Sequence, residues 1–271
     1  MARGISLHFA VSKPDPASCC EATELKSARG NATTMATIAK DKQFSVRGPF
    51  FDNAVTSTAV RDALACAARE LRSGDMLLLT FARHGCDQPG INSSHEWRDQ
   101  AWCLADGRFT DNQLDEALKA FCPGVRILVV SESCHSETIV GVPFEHKNTL
   151  AEHPEVAAAH RARARRVAAE WGVEECSDLV VIGPHSQNQI QASVIVLSAC
   201  RDAWTAKEVA GATYFTPTLE EVLKSNQHAT YCGFMQKVRE KVMKKLDSQE
   251  PCFSFAGILS EEFARQRPFT I

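Results

Sequence analysis

Two apolar runs that each stop at a reactive side chain constrain this chain more than any other feature. One reads Leu77-Leu78-Leu79-Thr80-Phe81-Ala82-Arg83-His84-Gly85, the other Val125-Arg126-Ile127-Leu128-Val129-Val130-Ser131-Glu132-Ser133-Cys134-His135-Ser136. Near-continuous Leu, Ile and Val marks strands buried on both faces of a parallel sheet. Such sheets offer their chemistry at the carboxyl ends of the strands. One strand would deliver His84 and the next Cys134. A thiol nucleophile needs that pairing, because the thiolate attacks and a neighbouring imidazole keeps it deprotonated.

The rest of the chain supplies the elements that such a sheet requires. Further strands are expected over residues 5–12 and 193–198, with a weaker one over 43–46. Helical spacing of Val60, Leu64, Ala67 and Leu71 predicts a helix over 58–72, stopped by Gly74. Thr110-Asp111-Asn112-Gln113 is a capping-box pattern opening a helix over 111–121, ahead of Pro123-Gly124. Other helices are expected over 31–41, 154–171, 218–226 and 231–246, and a hairpin over 97–108 turned by Asp106-Gly107. Strands alternating with helices predict an α/β fold, a three-layer α/β/α sandwich around a mainly parallel sheet. Residues 144–191 contain no core strand and read as a linker carrying one exposed helix. One domain over 1–271 follows, with halves 1–143 and 192–271 on either side of that linker.

Composition narrows the class. At 44% hydrophobic the chain can bury a core, and a net charge of -3 gives no electrostatic case for nucleic acid or an anionic membrane. No window approaches the ~18 uninterrupted apolar residues of a membrane span, and residues 1–11 lack a signal-peptide pattern. Eleven cysteines without CxxC pairs read as reduced thiols in a cytoplasmic protein rather than as zinc ligands. Cys86 and Cys200 are weaker candidates for the nucleophile, Cys86 lying beyond the turn and Cys200 at the end of a later strand. Gly85, having no side chain, lets its amide approach a reacting carbonyl. With the amide of Cys134 it would form an oxyanion hole, while His84 serves as general base and then general acid.

At these residues the chain resembles the bacterial metacaspase-like cysteine peptidases of the caspase superfamily. Residues 79–85, 127–136 and 194–202 are similar to that family's three strand-end motifs, the last through Ser198-Ala199-Cys200-Arg201-Asp202. Ala101-Trp102-Cys103-Leu104, the opening strand and the terminal Gln266-Arg267-Pro268-Phe269-Thr270-Ile271 extend the likeness. The resemblance implies a caspase-like sandwich and endopeptidase activity with His84 as base and Cys134 as nucleophile. It also implies cleavage after Arg or Lys, and a place in a stress, cell-death or phage-defence circuit. Glu132 takes the position of the main pocket acid, Asp202 adds a second, and Asn31 stands where the family usually has Asp. Arg is then expected over Lys, since a guanidinium gains a bidentate, charge-assisted contact with a carboxylate.

Departures from the pattern carry their own expectations. Ala82-Arg83 replaces the usual Ser-Gly before His84, and Glu137 replaces a Gly. These opposite charges could pair across the cleft mouth and gate it, or stand as two unrelated solvated side chains. Such substitutions also motivate a second reading, a catalytically weak caspase-like binding or scaffold protein in a signalling or defence complex. His160-Arg161-Ala162-Arg163-Ala164-Arg165-Arg166 in the linker is a candidate cleavage site for self-processing or for an activating protease, and an exposed basic helix face otherwise. Calcium, which many relatives use, would meet only Asp99, Asp111, Asn112 and Gly141. Two acids make a poor cage for an ion wanting six to eight oxygens, so no metal or other cofactor is expected and a partner protein could trigger activity instead. The expected substrate is a protein with exposed Arg or Lys.

Overall fold

The computed structural model describes residues 2–13, 24–83, 85–89, 98–133, 190–200, 208, 211–225, 230–258 and 260–271, together with Ala162, Arg165, Arg166 and Ala169. Among them a six-stranded sheet runs in the order β2-β1-β3-β7-β8-β9. Its strands are β1 (Gly4–Ala10), β2 (Ser45–Phe51), β3 (Met76–Ala82), β7 (Arg126–Glu132), β8 (Ser193–Ser198) and β9 (Cys252–Gly257). All neighbours pair parallel except β8 with β9. A second, antiparallel sheet holds β4 (Gly85–Pro89), β5 (Arg98–Leu104) and β6 (Gly107–Thr110). The helices are α1 (Ala28–Asp41), α2 (Ser57–Glu70), α3 (Asp111–Leu118), α4 (Phe215–Ser225), α5 (Tyr231–Lys245) and α6 (Glu261–Arg265).

Alternation along the strands sorts the core into two layers. Met76, Leu78, Leu128, Val130, Ile195 and Leu197 face α1, α4 and α5 through Met35, Leu219, Met235 and Val238. Leu77, Leu79, Ile127, Val129, Val194 and Val196 face α2 and α3 through Val60, Leu64, Leu114 and Leu118. This is the expected three-layer α/β/α sandwich with a mainly parallel sheet. No helix among the described residues is long and apolar enough to cross a membrane.

Local signals account for most boundaries. Thr56 accepts from the Ala59 amide to start α2, and the Thr110–Gln113 capping box opens α3. The hairpin turns one residue earlier than expected, at Ala105-Asp106, since Leu104 pairs with Gly107. The reason is tertiary: both Asp106 carboxylate oxygens accept from the Ser57 amide at the head of α2. α4 begins three residues before the expected 218, because a buried carboxylate, Glu132, accepts from the Thr216 amide in its first turn. β9 carries no alternating signature and went unanticipated; Phe253 and Phe255 enter one core layer and Ala256 the other. Cys66, Cys103, Cys122, Cys200 and Cys252 form no disulfide, as expected of reduced thiols. Cys232 departs from that expectation, being disulfide-bonded.

Two features make the frame testable. Gly257 has φ +66°, and a Cβ there would overlap the Ala192 carbonyl oxygen. Gly257→Ala is therefore expected to lower unfolding free energy in urea by about 2 kcal/mol or more, since strain and overlap add. His8 is fully buried on β1 with Nδ1 2.8 Å from Thr80 Oγ1, and burial lowers its pKa to about 4. The unfolded chain takes up that proton near pH ~6.5 and the folded one does not. Stability should fall as pH drops from ~6.5 towards 4, by about 3 kcal/mol in all. His8→Gln should remove this contribution, and calorimetry of both proteins between pH 4 and 7 reads it directly.

Candidate active site at the carboxyl edge of the sheet

β3 and β7 lie side by side, in register from Met76↔Arg126 to Ala82↔Glu132. The Arg83 amide continues the ladder, donating to the Glu132 carbonyl at 3.0 Å. The described chain thus reaches Arg83 on one strand and Ser133 on its neighbour, each one residue short of a candidate. His84 and Cys134 themselves lie outside the described residues, as do Asp202, Glu137 and Gly141. Gly85 is described by its backbone: it opens β4 opposite Trp102 of β5.

Two clusters of opposite character flank this edge. On the α1 and α4 side, Glu132 Oε2 accepts from the Thr216 amide at 2.9 Å and from the Thr216 hydroxyl. Asn31 Nδ2 donates to Thr213 Oγ1 at 2.9 Å. The structure so brings together two of the three expected pocket residues, Glu132 from a strand end and Asn31 from the first turn of α1. Ala10, Ala28, Ala32 and Ala82 lie in one small buried cluster, Ala82 being paired with Glu132 across the ladder. Burial is the main influence on Glu132 and raises its pKa; hydrogen bonds from Thr216 and Thr213 oppose it without prevailing. Oε1 of Glu132 has no partner of good hydrogen-bond geometry.

On the other side lie Arg83, Ser131, Ser133 and Trp102. Trp102 stacks on Phe81 at 4.4 Å and donates through Nε1 to Ser131 Oγ at 3.2 Å. Ser131 Oγ and Ser133 Oγ are 2.8 Å apart. Arg83 is 1% exposed and donates from Nη1 to the Cys103 carbonyl at 3.0 Å. The expectation of a solvated Arg83 is corrected, since its guanidinium is buried beneath β5, while the partner expected for it across the cleft, Glu137, lies outside the described residues. Cys200 is fully buried, its Sγ donating to the Ser133 carbonyl at 3.4 Å, so it packs against the site rather than facing a cleft.

Further residues emerge that sequence patterns did not reveal. Thr213 and Thr216 complete the acid cluster, and Glu208 accepts from Ser27 N at 3.0 Å and Ser27 Oγ at 2.6 Å at the head of α1. Glu208 and Thr213 come from the chain between β8 and α4, Thr216 from the first turn of α4, and only tertiary packing brings them here. Among the described residues no group of three His, Cys, Asp or Glu could hold a metal, and Asp111 Oδ1 accepts from the Asn112 amide at 2.7 Å; Gly141 and the Asp99 side chain lie outside the described residues.

A mainly parallel six-stranded sheet with this edge defines a caspase-like α/β protein. Residues 23–143 match the family described as metacaspase, peptidase C14 domain. Metacaspase-5 of Trypanosoma brucei brucei is 24% identical over 224 residues, 77% of this chain and 41% of its own length. Metacaspase-5 of Trypanosoma cruzi is 24% identical over 225 residues, 77% of this chain and 46% of its own. The chain thus spans under half the length of these relatives. A crystal structure of a Geobacter sulfurreducens protein superposes with a TM-score of 0.73 at 27% identity, covering 99% of each chain. Over its first half the chain is similar to the metacaspases.

The raised Glu132 pKa has a signed consequence. The folded state holds that proton more tightly than the unfolded chain, so ionising Glu132 costs stability as pH rises above the usual Glu range. Glu132→Gln cannot ionise and keeps an acceptor for Thr216. It is expected to melt a few degrees above the wild type at pH 8, with the gap closing towards pH ~4.5, as followed by differential scanning calorimetry.

Proposed function

We propose that this protein is a cysteine endopeptidase cleaving after basic residues, Arg in preference to Lys. In this reading the Cys134 thiolate attacks the scissile carbonyl carbon and the amides of Gly85 and Cys134 hold the oxyanion. His84, having taken the thiol proton, gives it to the leaving amine; it then deprotonates the water that hydrolyses the thioester. Glu132, Asn31 and Asp202 receive the basic side chain. The observation that carries the reading is the unbroken β3–β7 register, which ends one residue before His84 on one strand and before Cys134 on the next. The buried acid Glu132, linked through Thr213 to Asn31, supports the basic preference. Arg165 and Arg166 are exposed and helical, which supports cleavage of the segment between the two halves as an activating event.

The buried Arg83, standing where the family usually has a small residue, favours a second reading as a catalytically weak binding module. One experiment separates the two. An arginyl electrophile should label Cys134 in the wild type and not in Cys134→Ala, and a peptide library, with and without calcium, should show cuts after Arg above Lys. His84→Ala is expected to lower the rate by about 100-fold or more, and Glu132→Gln to lower cleavage after Arg by about 10- to 100-fold. A folded wild type that leaves Cys134 unlabelled would exclude the peptidase reading.

A further inference from the structure

We propose that Thr216 is a positioning residue for basic specificity, fixing the Glu132 carboxylate from the first turn of α4 as the acceptor for a cationic substrate side chain. The inference rests on the peptidase reading above and deepens it, since that reading names the acid but not what holds it.

Three observations carry it. First, one residue supplies two donors to one oxygen: the Thr216 amide reaches Glu132 Oε2 at 2.9 Å, and the Thr216 hydroxyl donates to the same atom. Both residues are buried, so water is a poor substitute for either bond. Second, the amide belongs to the first turn of an 11-residue helix. There it has no partner within the helix, and the helix dipole favours a negative charge. Third, the same stretch of chain holds the other pocket residue from the first half. Thr213 Oγ1 accepts from Asn31 Nδ2 at 2.9 Å, and the Thr213 hydroxyl joins Thr216 in favouring the charged form of Glu132.

The consequence for specificity follows from what burial does to an acid. Burial drives Glu132 towards its neutral form, and the Thr216 hydroxyl is the foremost of the hydrogen bonds that resist it. A neutral carboxylic acid offers a guanidinium none of the charge-assisted, two-pronged pairing that selects it. Without the hydroxyl, the acid moves further towards the neutral form and its carboxylate is held by fewer bonds. One hydrogen bond to a charged group corresponds to about 10-fold or more in an equilibrium. A side chain of the same shape but no charge would gain little from the ionised acid and lose little with it.

The test compares two labels of Cys134 on the full chain, an arginyl electrophile and its uncharged citrullyl counterpart, with rates read by mass spectrometry. The wild type is expected to prefer the arginyl probe. Thr216→Val removes the hydroxyl and keeps the amide. It should lower the arginyl-to-citrullyl ratio by about 10-fold, through a higher half-saturating concentration of the arginyl probe rather than a slower maximal rate. Thr216→Ser should recover the ratio, and Thr216→Ala repeats the loss with less bulk at the helix start. In a Glu132→Gln background, with no carboxylate to hold, adding Thr216→Val should lower the ratio no further. An unchanged ratio in folded Thr216→Val or Thr216→Ala, an equal loss for both probes, or a loss that Thr216→Ser does not recover overturns the proposal. A further loss in the Glu132→Gln background overturns it as well. A wild type labelled equally by both probes would instead sink the basic preference, and one labelled by neither the peptidase reading, and this inference with each.

Discussion

The paired strands β3 and β7 hold the rest of this molecule in place. Their seven residue pairs run without a bulge from Met76↔Arg126 to Ala82↔Glu132, and the Arg83 amide adds one bond more. A slip of one residue would send every side chain to the opposite face and exchange the two core layers. Leu78 and Leu128 face one layer and Leu77 and Ile127 the other, so that slip is forbidden by the packing on both sides. The register that packs the core is also the register that carries the two strands to Arg83 and Ser133, the residues before His84 and Cys134.

At the carboxyl edge the same alternation separates opposite charges. Glu132 points into the layer of α1 and α4, and Arg83 lies on the other face beneath β5. Each is a charged side chain at a position that burial alone would fill with an apolar one. Their retention costs stability that α2, α3, α4 and α5 offset with apolar packing elsewhere. Local rules broken at one place in an otherwise consistent fold are the mark of a functional edge. The helix α4 bears this out in its own start: its first turn is set by a carboxylate from β7 rather than by a residue in its own sequence.

Much of this was legible in the chain. Met76–Ala82 and Arg126–Glu132 announced themselves as doubly buried strands, Thr110–Gln113 as a helix start, and Leu64 and Val60 as an inward helix face. Glu132 and Asn31 were singled out as partners in one pocket, and they meet through Thr213. Other features were invisible for a physical reason. β9 has no period-2 contrast because both of its faces are buried. The turn before Gly107 shifted because Asp106 is drawn to the head of α2, a partner 49 residues away. Arg83 looked like a surface charge, since nothing beside it in the sequence reveals that β5 folds over it.

By itself the sequence determined which segments are strands and helices, which apolar stripe each one buries, and which reactive residues stand at strand ends. Those are consequences of periodicity and chain chemistry, which act within a few residues. Only the tertiary structure decided that β7 lies against β3, that a fully buried antiparallel strand closes the sheet, and that Glu132 and Arg83 are enclosed on opposite faces. These depend on contacts between residues far apart in the chain, where burial and hydrogen-bond geometry, not local pattern, fix the environment of a charge.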